Sequence, residues 1–209
     1  MSKIRIGVLI SGGGTNLQAI IDNTKNGHIN GEVVCVISNK SDAFGLERAK
    51  KENIEGFYVE KSESSEIYNK KVIEILKSKN VDLVVLAGYL KILSKNFTDA
   101  YKNRIINIHP SLIPSFCGKG CYGEKVHEKV LEYGVKITGA TTHFVDENTD
   151  TGPIIMQRCV EVKYDDTVES LQKRVLKTEH EILVETVRLF CEGKISVSGR
   201  KVKLGGEND

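Results

Sequence analysis

Apolar and polar positions alternate along the chain in two rhythms. Ile4–Ile10 is an apolar, β-branched run, interrupted by Arg5, that breaks at Ser11-Gly12-Gly13-Gly14, after which Leu17, Ile20 and Ile21 share one helical face. The pair of patterns then repeats. Residues 32–38 (E-V-V-C-V-I-S) read as a strand and 43–51 as a helix. Residues 57–59 read as a short third strand, and helical spacing resumes through Ile67, Val72, Ile73, Ile75 and Leu76. The run 82–87 (D-L-V-V-L-A) is apolar without a break, as expected of a strand buried on both faces. A short helix over 94–101 and a fifth strand over 105–108 follow. Strands alternating with helices predict βαβ units and a parallel sheet with both faces covered.

Beyond residue 110 the rhythm changes. All three prolines, Pro110, Pro114 and Pro153, lie between 110 and 153. A loop at 115–123 precedes a helix over 124–133 and two strand-like runs at 136–145 and 153–163, close enough to pair around an irregular loop at 146–152. A long amphipathic helix carrying Val168, Leu171, Val175, Leu176, Ile182, Leu183 and Val187 closes the pattern, and the tail 205–209 (G-G-E-N-D) is expected to fray. The prediction is a single α/β domain over 1–209: a doubly wound, mostly parallel, Rossmann-like sheet with a mixed C-terminal edge. Within it, 1–110 is expected to hold a nucleotide or phosphate and 111–195 to supply a ligand-facing loop and the closing helix.

Composition narrows the partners more than the fold. Thirty Lys plus Arg against 28 Asp plus Glu leave a net charge of +2, which argues against nucleic acid or an acidic membrane as a partner. The apolar runs are strand-sized, far short of the roughly 20 residues a membrane span needs. The start, Met1-Ser2-Lys3-Ile4-Arg5, leads straight into an apolar strand and does not read as a signal peptide. Five cysteines, an odd number, fit reduced thiols in a cytoplasmic protein better than a disulfide framework. A homo-oligomer is compatible with all of this.

Three constellations carry chemistry. The Ser11-Gly12-Gly13-Gly14-Thr15-Asn16 turn lies between a strand and a helix, where glycines admit a close ligand and the helix N-terminus favours an anion. It fails the dinucleotide fingerprint, because Leu17 stands at the third glycine position, and it lacks the Lys of a P-loop, so a single phosphate suits it best. Asn107-Ile108-His109-Pro110-Ser111-Leu112-Ile113-Pro114 ends the fifth strand, at the sheet edge where ligands of open α/β folds bind. Alternation puts Asn107 and His109 on one face, an amide donor beside an imidazole that can hold an oxyanion and move a proton. The acidic loop 146–152 can deliver one carboxylate to orient His109 and favour its charged form.

Together these segments resemble the formyltetrahydrofolate-dependent formyltransferases, and within them the glycinamide ribonucleotide branch. The resemblance runs from Ile4 to about residue 195 and rests on S-G-G-G-T-N, D-A-F-G-L-E-R-A at 42–49, V-V-L-A-G-Y-L-K-I-L-S at 84–94, N-I-H-P-S-L-I-P at 107–114 and H-F-V-D-E-N-T-D-T-G-P-I-I at 143–155. It implies formyl transfer from 10-formyltetrahydrofolate, a co-substrate, to the amine of glycinamide ribonucleotide in purine synthesis, without a metal. By motif, Asn107, His109 and Asp150 correspond to the catalytic trio, with protonated His109 and the Asn107 amide as oxyanion donors. Gly14, Thr15, Asn16, Pro110 and Glu179 correspond to the ribonucleotide site. Leu90, Lys91, Ile92, Leu93, Asn107, Val145, Asp146, Thr149 and Asp150 correspond to the folate pocket.

Two departures qualify the resemblance. Ser65 stands where the family usually has a basic residue, with Lys61 and Lys70 the nearest cations in sequence. The loop 116–123 carries Cys117-x₃-Cys121 near His109 and His127, a weaker zinc signal than paired Cys-x₂-Cys motifs. Cys35, Cys159 and Cys191 read as core, and His143 and His180 as structural. The same motifs serve formyl-folate hydrolases and methionyl-tRNA formyltransferases. The first is disfavoured because it carries an added N-terminal regulatory domain, the second because it needs a further nucleic-acid-binding domain and a more basic surface. A non-catalytic nucleotide-binding module leaves the trio unexplained.

Overall fold

The computed structural model describes residues 2–60, 62 and 64–205. Strand β1 (Ile4–Ile10) leads into helix α1 (Thr15–Lys25), β2 (Gly31–Ser38) into α2 (Phe44–Lys51), β3 (Gly56–Tyr58) into α3 (Ser65–Ser78), and β4 (Leu83–Leu86) into α4 (Lys95–Ala100). Strand β5 (Ile105–His109) is followed by α5 (Glu124–Tyr133), the hairpin β6 (Ile137–Phe144) and β7 (Ile154–Glu161), and the long helix α6 (Val168–Cys191). Two further strands, β8 (Ile195–Ser198) and β9 (Lys201–Leu204), end the described chain.

The main sheet has the order β3-β2-β1-β4-β5-β6-β7. Its first five strands are parallel, and β6 and β7 add antiparallel, the mixed C-terminal edge expected from the sequence. The chain leaves β1 toward β2 and β3, then returns to β4 on the other side. This reversal opens a crevice at the carboxyl ends of β1 and β4, the usual binding place in such sheets.

Alternation along each strand sends side chains into two separate cores. Ile6, Val8 and Ile10 pack with Leu17, Ile20, Leu171, Val175 and Ile182 under α1 and α6, whereas Leu9 and Ile37 pack with Val72, Leu76 and Phe97 under α3 and α4. Gly7 is forced by this second layer, since a Cβ there would stand 2.6 Å from Leu76 Cδ2. Helix α6 begins with a reciprocal cap: Thr167 accepts from the Ser170 N–H while Ser170 accepts from the Thr167 N–H.

The predicted elements appear with ends shifted by up to two residues. The β8–β9 hairpin was not anticipated. Its signal is short: the alternating I-S-V-S and K-V-K-L flank Gly199-Arg200, with Ser198 paired to Lys201 and Gly199 at φ +59°. Such a two-residue turn wants a positive φ, which glycine adopts freely. Of the tail expected to fray, Gly205 donates its N–H to Lys194 O (2.7 Å), and 206–209 lie outside the described residues.

Candidate active site

The glycine turn is held from behind. Gly45 N donates to Gly12 O (3.0 Å) and Arg48 Nε to Gly13 O (2.8 Å), so α2 buttresses the loop while Gly12 and Gly13 stay exposed. Gly14 caps α1 in the left-handed region at φ +71°, and a Cβ there would lie 2.8 Å from the Gly45 Cα. Both properties require glycine whatever the turn binds. Thr15 is exposed at the helix start. Asn16 is buried and donates from Nδ2 to Glu179 Oε2 of α6 at 2.9 Å, while its Oδ1 has no partner among the described residues. Burial pushes the Glu179 carboxyl up, and the Asn16 amide opposes that only in part. Residues 163 apart in sequence thus form one polar cluster beside an open helix N-terminus.

The trio meets at the carboxyl end of β5. The antiparallel β5–β6 register places Asn107 opposite His143 and His109 opposite Thr141. His143 Nδ1 lies 2.8 Å from Phe144 O, and a carbonyl only accepts, so this nitrogen carries the proton. The neutral ring then offers Nε2 as acceptor to Asn107 Nδ2 at 3.0 Å. This fixes the amide's orientation and leaves its second N–H for a ligand. His143, expected to be structural, orients Asn107. By the same logic His109 Nε2 donates to Phe116 O at 3.0 Å, and its Nδ1 faces Asp150 Oδ2 at 3.8 Å.

Asp150 enters from the 146–152 loop at φ +58°. Its Oδ2 accepts the Gly118 N–H at 2.8 Å, and its Oδ1 lies 3.7 Å from His143 Nε2. Asp146 organises the same loop by accepting from Asn148 N and Thr151 Oγ1. The unanticipated hairpin also reaches it, since Arg200 Nη1 donates to Thr151 O at 2.9 Å, one residue beyond Asp150.

The electrostatics change one expectation. Burial pulls the His109 imidazolium below its ordinary range, and the opposing Asp150 charge only partly restores it. Burial therefore favours neutral His109 at rest, whereas the resemblance implies a protonated His109 during the reaction. Burial also pushes Asp150 up, but its carboxyl stands below the usual range, because His143 and His109, whenever either ring carries charge, and the Gly118 N–H all favour the carboxylate. The Gly118 bond persists whatever charge the histidines carry, so Asp150 is ionised at neutral pH. His127, 1% exposed behind the site, is pulled down to about 4 by burial, with the nearby His109 adding to it.

A cavity of about 500 Å³ opens here. Its walls include Leu90, Lys91, Ile92, Leu93, Asn107, His109, Pro110, Val145, Asp146, Thr149 and Asp150, so every residue of the expected folate set lines one space, together with Pro110. Gly14, Thr15, Asn16 and Glu179 are not among its walls and form the separate cluster described above. Residues of the segments 88–93, 107–110, 118–123 and 143–150 line it together.

Several side chains deserve separate placement. Ser65 opens α3, and Lys91 sets its ammonium 5.6 Å from the Tyr68 ring centroid on that helix. Lys70 is exposed, and Lys61 lies outside the described residues. Cys121 Sγ accepts from Lys129 Nζ (3.0 Å) and Cys117 Sγ donates to Pro114 O (3.3 Å). Among the described residues, no group of three or more His, Cys, Asp or Glu side chains is arranged to hold a metal. Cys35 and Cys191 are buried, but Cys159 is exposed on the edge strand, contrary to its expected place in the core.

Comparison with known proteins identifies the family. The sequence profile of the formyl transferase family matches residues 4–187. The chain is 42% identical over 194 residues to the chloroplastic phosphoribosylglycinamide formyltransferase of Arabidopsis thaliana, covering 91% of this chain but only 66% of that protein. It is 40% identical over 205 residues to the phosphoribosylglycinamide formyltransferase of Haemophilus influenzae, covering 97% and 94%. A crystal structure of glycinamide ribonucleotide transformylase 1 from Symbiobacterium toebii superposes with a TM-score of 0.93 at 45% identity, covering 98% of this chain and 95% of that one. The chain belongs to the formyl transferase family.

Proposed function

We propose that this chain transfers the formyl group of 10-formyltetrahydrofolate to the primary amine of glycinamide ribonucleotide. One observation carries the reading: a cavity walled by 90–93 and Val145 also has Asn107, His109 and Asp150 in its walls. A flat heterocycle wants such walls with a few polar groups at the edge. The glycine turn, the α1 N-terminus and the Asn16–Glu179 pair supply a separate anchor for a ribose phosphate. This assigns phosphate binding to the 1–110 half, with α6 of the second half contributing Glu179. Five free thiols favour a reducing compartment, the cytoplasm, and no described helix is long and apolar enough to cross a membrane.

In this reading the free Asn107 N–H and the His109 Nε2–H, released from Phe116 O, receive the charge that develops on the formyl oxygen. Asp150 takes up the proton lost by the attacking amine and passes it to His109 Nδ1. His109 then gives its Nε2 proton to the departing folate nitrogen and ends as the Nδ1–H tautomer, so protons balance. Neutral His109 at rest suits this relay, since Nδ1 begins free to accept.

The direct test is absorbance-monitored folate conversion with and without the ribonucleotide. Conversion is expected to depend on the acceptor; equal formate release without it makes the enzyme a hydrolase. The phosphate turn is tested separately. Gly14→Val is a poor probe, because both φ and Gly45 oppose it. Gly13 has open space around its Cβ position and no positive φ. Gly13→Val is expected to raise the KM for the ribonucleotide about tenfold, roughly 1.4 kcal/mol, with little change for the folate. A parallel rise in both KM values would make the turn structural.

A further inference from the structure

Three strand-to-helix connections meet on one oxygen. Ser11, 3% exposed, ends the run out of β1 immediately before the glycine turn. Its hydroxyl donates to Asn39 Oδ1 at 2.6 Å, in the connection after β2, and accepts the N–H of Leu90 at 2.8 Å, in the connection after β4. The strand order β2-β1-β4 makes these connections neighbours, although Leu90 is 79 residues from Ser11.

Packing of Tyr89 and Leu93 into the second core anchors the segment 88–93, which makes little backbone bonding of its own. It contains no helix or strand. Among the described residues, the backbone N–H groups of 88–93 donate no hydrogen bond to another backbone carbonyl, whereas Ala87 just before them donates to Leu9 O at 2.9 Å. Side chains tether it as well: Tyr89 and Tyr68 share a 2.5 Å hydroxyl contact, and Lys91 lies over the Tyr68 ring. The Asn39 carbonyl can only accept, so it takes the Ser11 proton and turns a hydroxyl lone pair toward Leu90.

We propose that Ser11 is a positioning residue for the 90–93 wall, acting through the Leu90 N–H, with Asn39 setting the direction of its hydroxyl. The idea rests on the reading that this wall receives the folate. It has an outcome opposite to what sequence position suggests. Ser11 adjoins the phosphate turn, so a role in shaping that turn predicts a change in ribonucleotide binding. A role in holding Leu90 predicts a change in folate binding.

The experiment has two arms on the intact chain. In kinetics, Ser11→Ala is expected to raise the KM for 10-formyltetrahydrofolate about threefold to tenfold, the range for losing one hydrogen bond. The ribonucleotide KM and the kcat at saturation should each stay within about twofold. Asn39→Ala, which leaves the Ser11 hydroxyl in place, should move the folate KM in the same direction by less. In amide hydrogen exchange without substrates, Ser11→Ala should speed exchange at Leu90 at least about tenfold while β1 and β4 amides keep their protection. Equal rises in both KM values, a rise for the ribonucleotide alone, or unchanged exchange at Leu90 overturns the proposal. Absence of folate turnover in the unsubstituted protein defeats the functional reading instead, and the exchange arm still decides the tether.

Discussion

His109→Ala is expected to lower kcat by at least about a hundredfold, with ribonucleotide and folate affinities changed little. Removing one preorganised oxyanion donor typically costs about 2.7–4 kcal/mol, or roughly 10²–10³ in rate. His109 is asked to do more than donate, since the relay also needs its Nδ1 as acceptor, so the lower bound is the donor loss alone. The residue is 4% exposed, and among the described residues its ring meets Phe116 O and the Asp150 carboxylate as polar partners. Asn107→Ala should lose a similar factor for the donor reason only. It also removes the partner of His143 Nε2, an effect that Asn107→Asp, close in shape but bearing the wrong charge, helps separate. Stopped-flow single turnover distinguishes slow chemistry from weak binding. Near-normal single-turnover rates in His109→Ala would falsify the assignment.

Asp150→Asn is the second large effect, and its sign comes from the pKa directions. The left-handed backbone at φ +58° tolerates asparagine, so the loop should survive the change. The charge that opposes burial at His109 is gone, so the His109 pKa, already below its ordinary range, should fall further. The step that carries the amine proton to Nδ1 is also lost, a contribution of about 10²–10⁴ for a positioned acid–base group. Two measurements check this: the His109 ring titration by NMR, and kcat against pH. His109 of the unsubstituted protein should titrate below about 6.5 and Asp150→Asn lower still. The unsubstituted enzyme should gain activity as pH rises through that titration and hold it above. A fall in rate between about pH 6.5 and 8 that shifts in Asp150→Asn would restore the imidazolium donor. An unchanged His109 titration would remove Asp150 from the relay.

The same burial bears on stability. His127, held at about 4, binds a proton in the unfolded chain before it does in the folded one. The fold therefore loses stability as pH falls from about 6.5 toward 4, and the loss from this group is complete below that. His109 acts in the same direction, and Asp150, with its depressed carboxyl, adds a further loss at lower pH.

Much of the architecture was legible in the chain because it depends on local rules. Ile4–Ile10 is an apolar, β-branched run interrupted by Arg5, and the glycines after it permit the turn into α1. The run through Leu83–Leu86 is apolar on both sides because two cores cover the sheet. Alternation along 105–109 was enough to put Asn107 and His109 on one side, and the later pairing of 137–144 with 154–161 followed from their spacing. The folate and phosphate sets came from the family resemblance of motifs spread along the chain, and Glu179 of α6 stands apart from the glycine turn it joins.

What the sequence could not supply were distances between segments and the dielectric around them. That His143 stands opposite Asn107 is a fact of β5–β6 register, which no local pattern states. That the 115–123 loop folds back, giving Phe116 O to His109 and Gly118 N to Asp150, goes with four positive-φ positions within it. The carboxylate beside His109 is visible in the motif, whereas the larger opposing influence on its charge, burial, is not. Ser11 shows the same division. Its place before the glycine turn is written in the chain, but its bond to Leu90 exists only because the sheet sets β1 beside β4. Local propensity chose the elements; packing chose which hydrogen-bonding groups meet and which charges survive there.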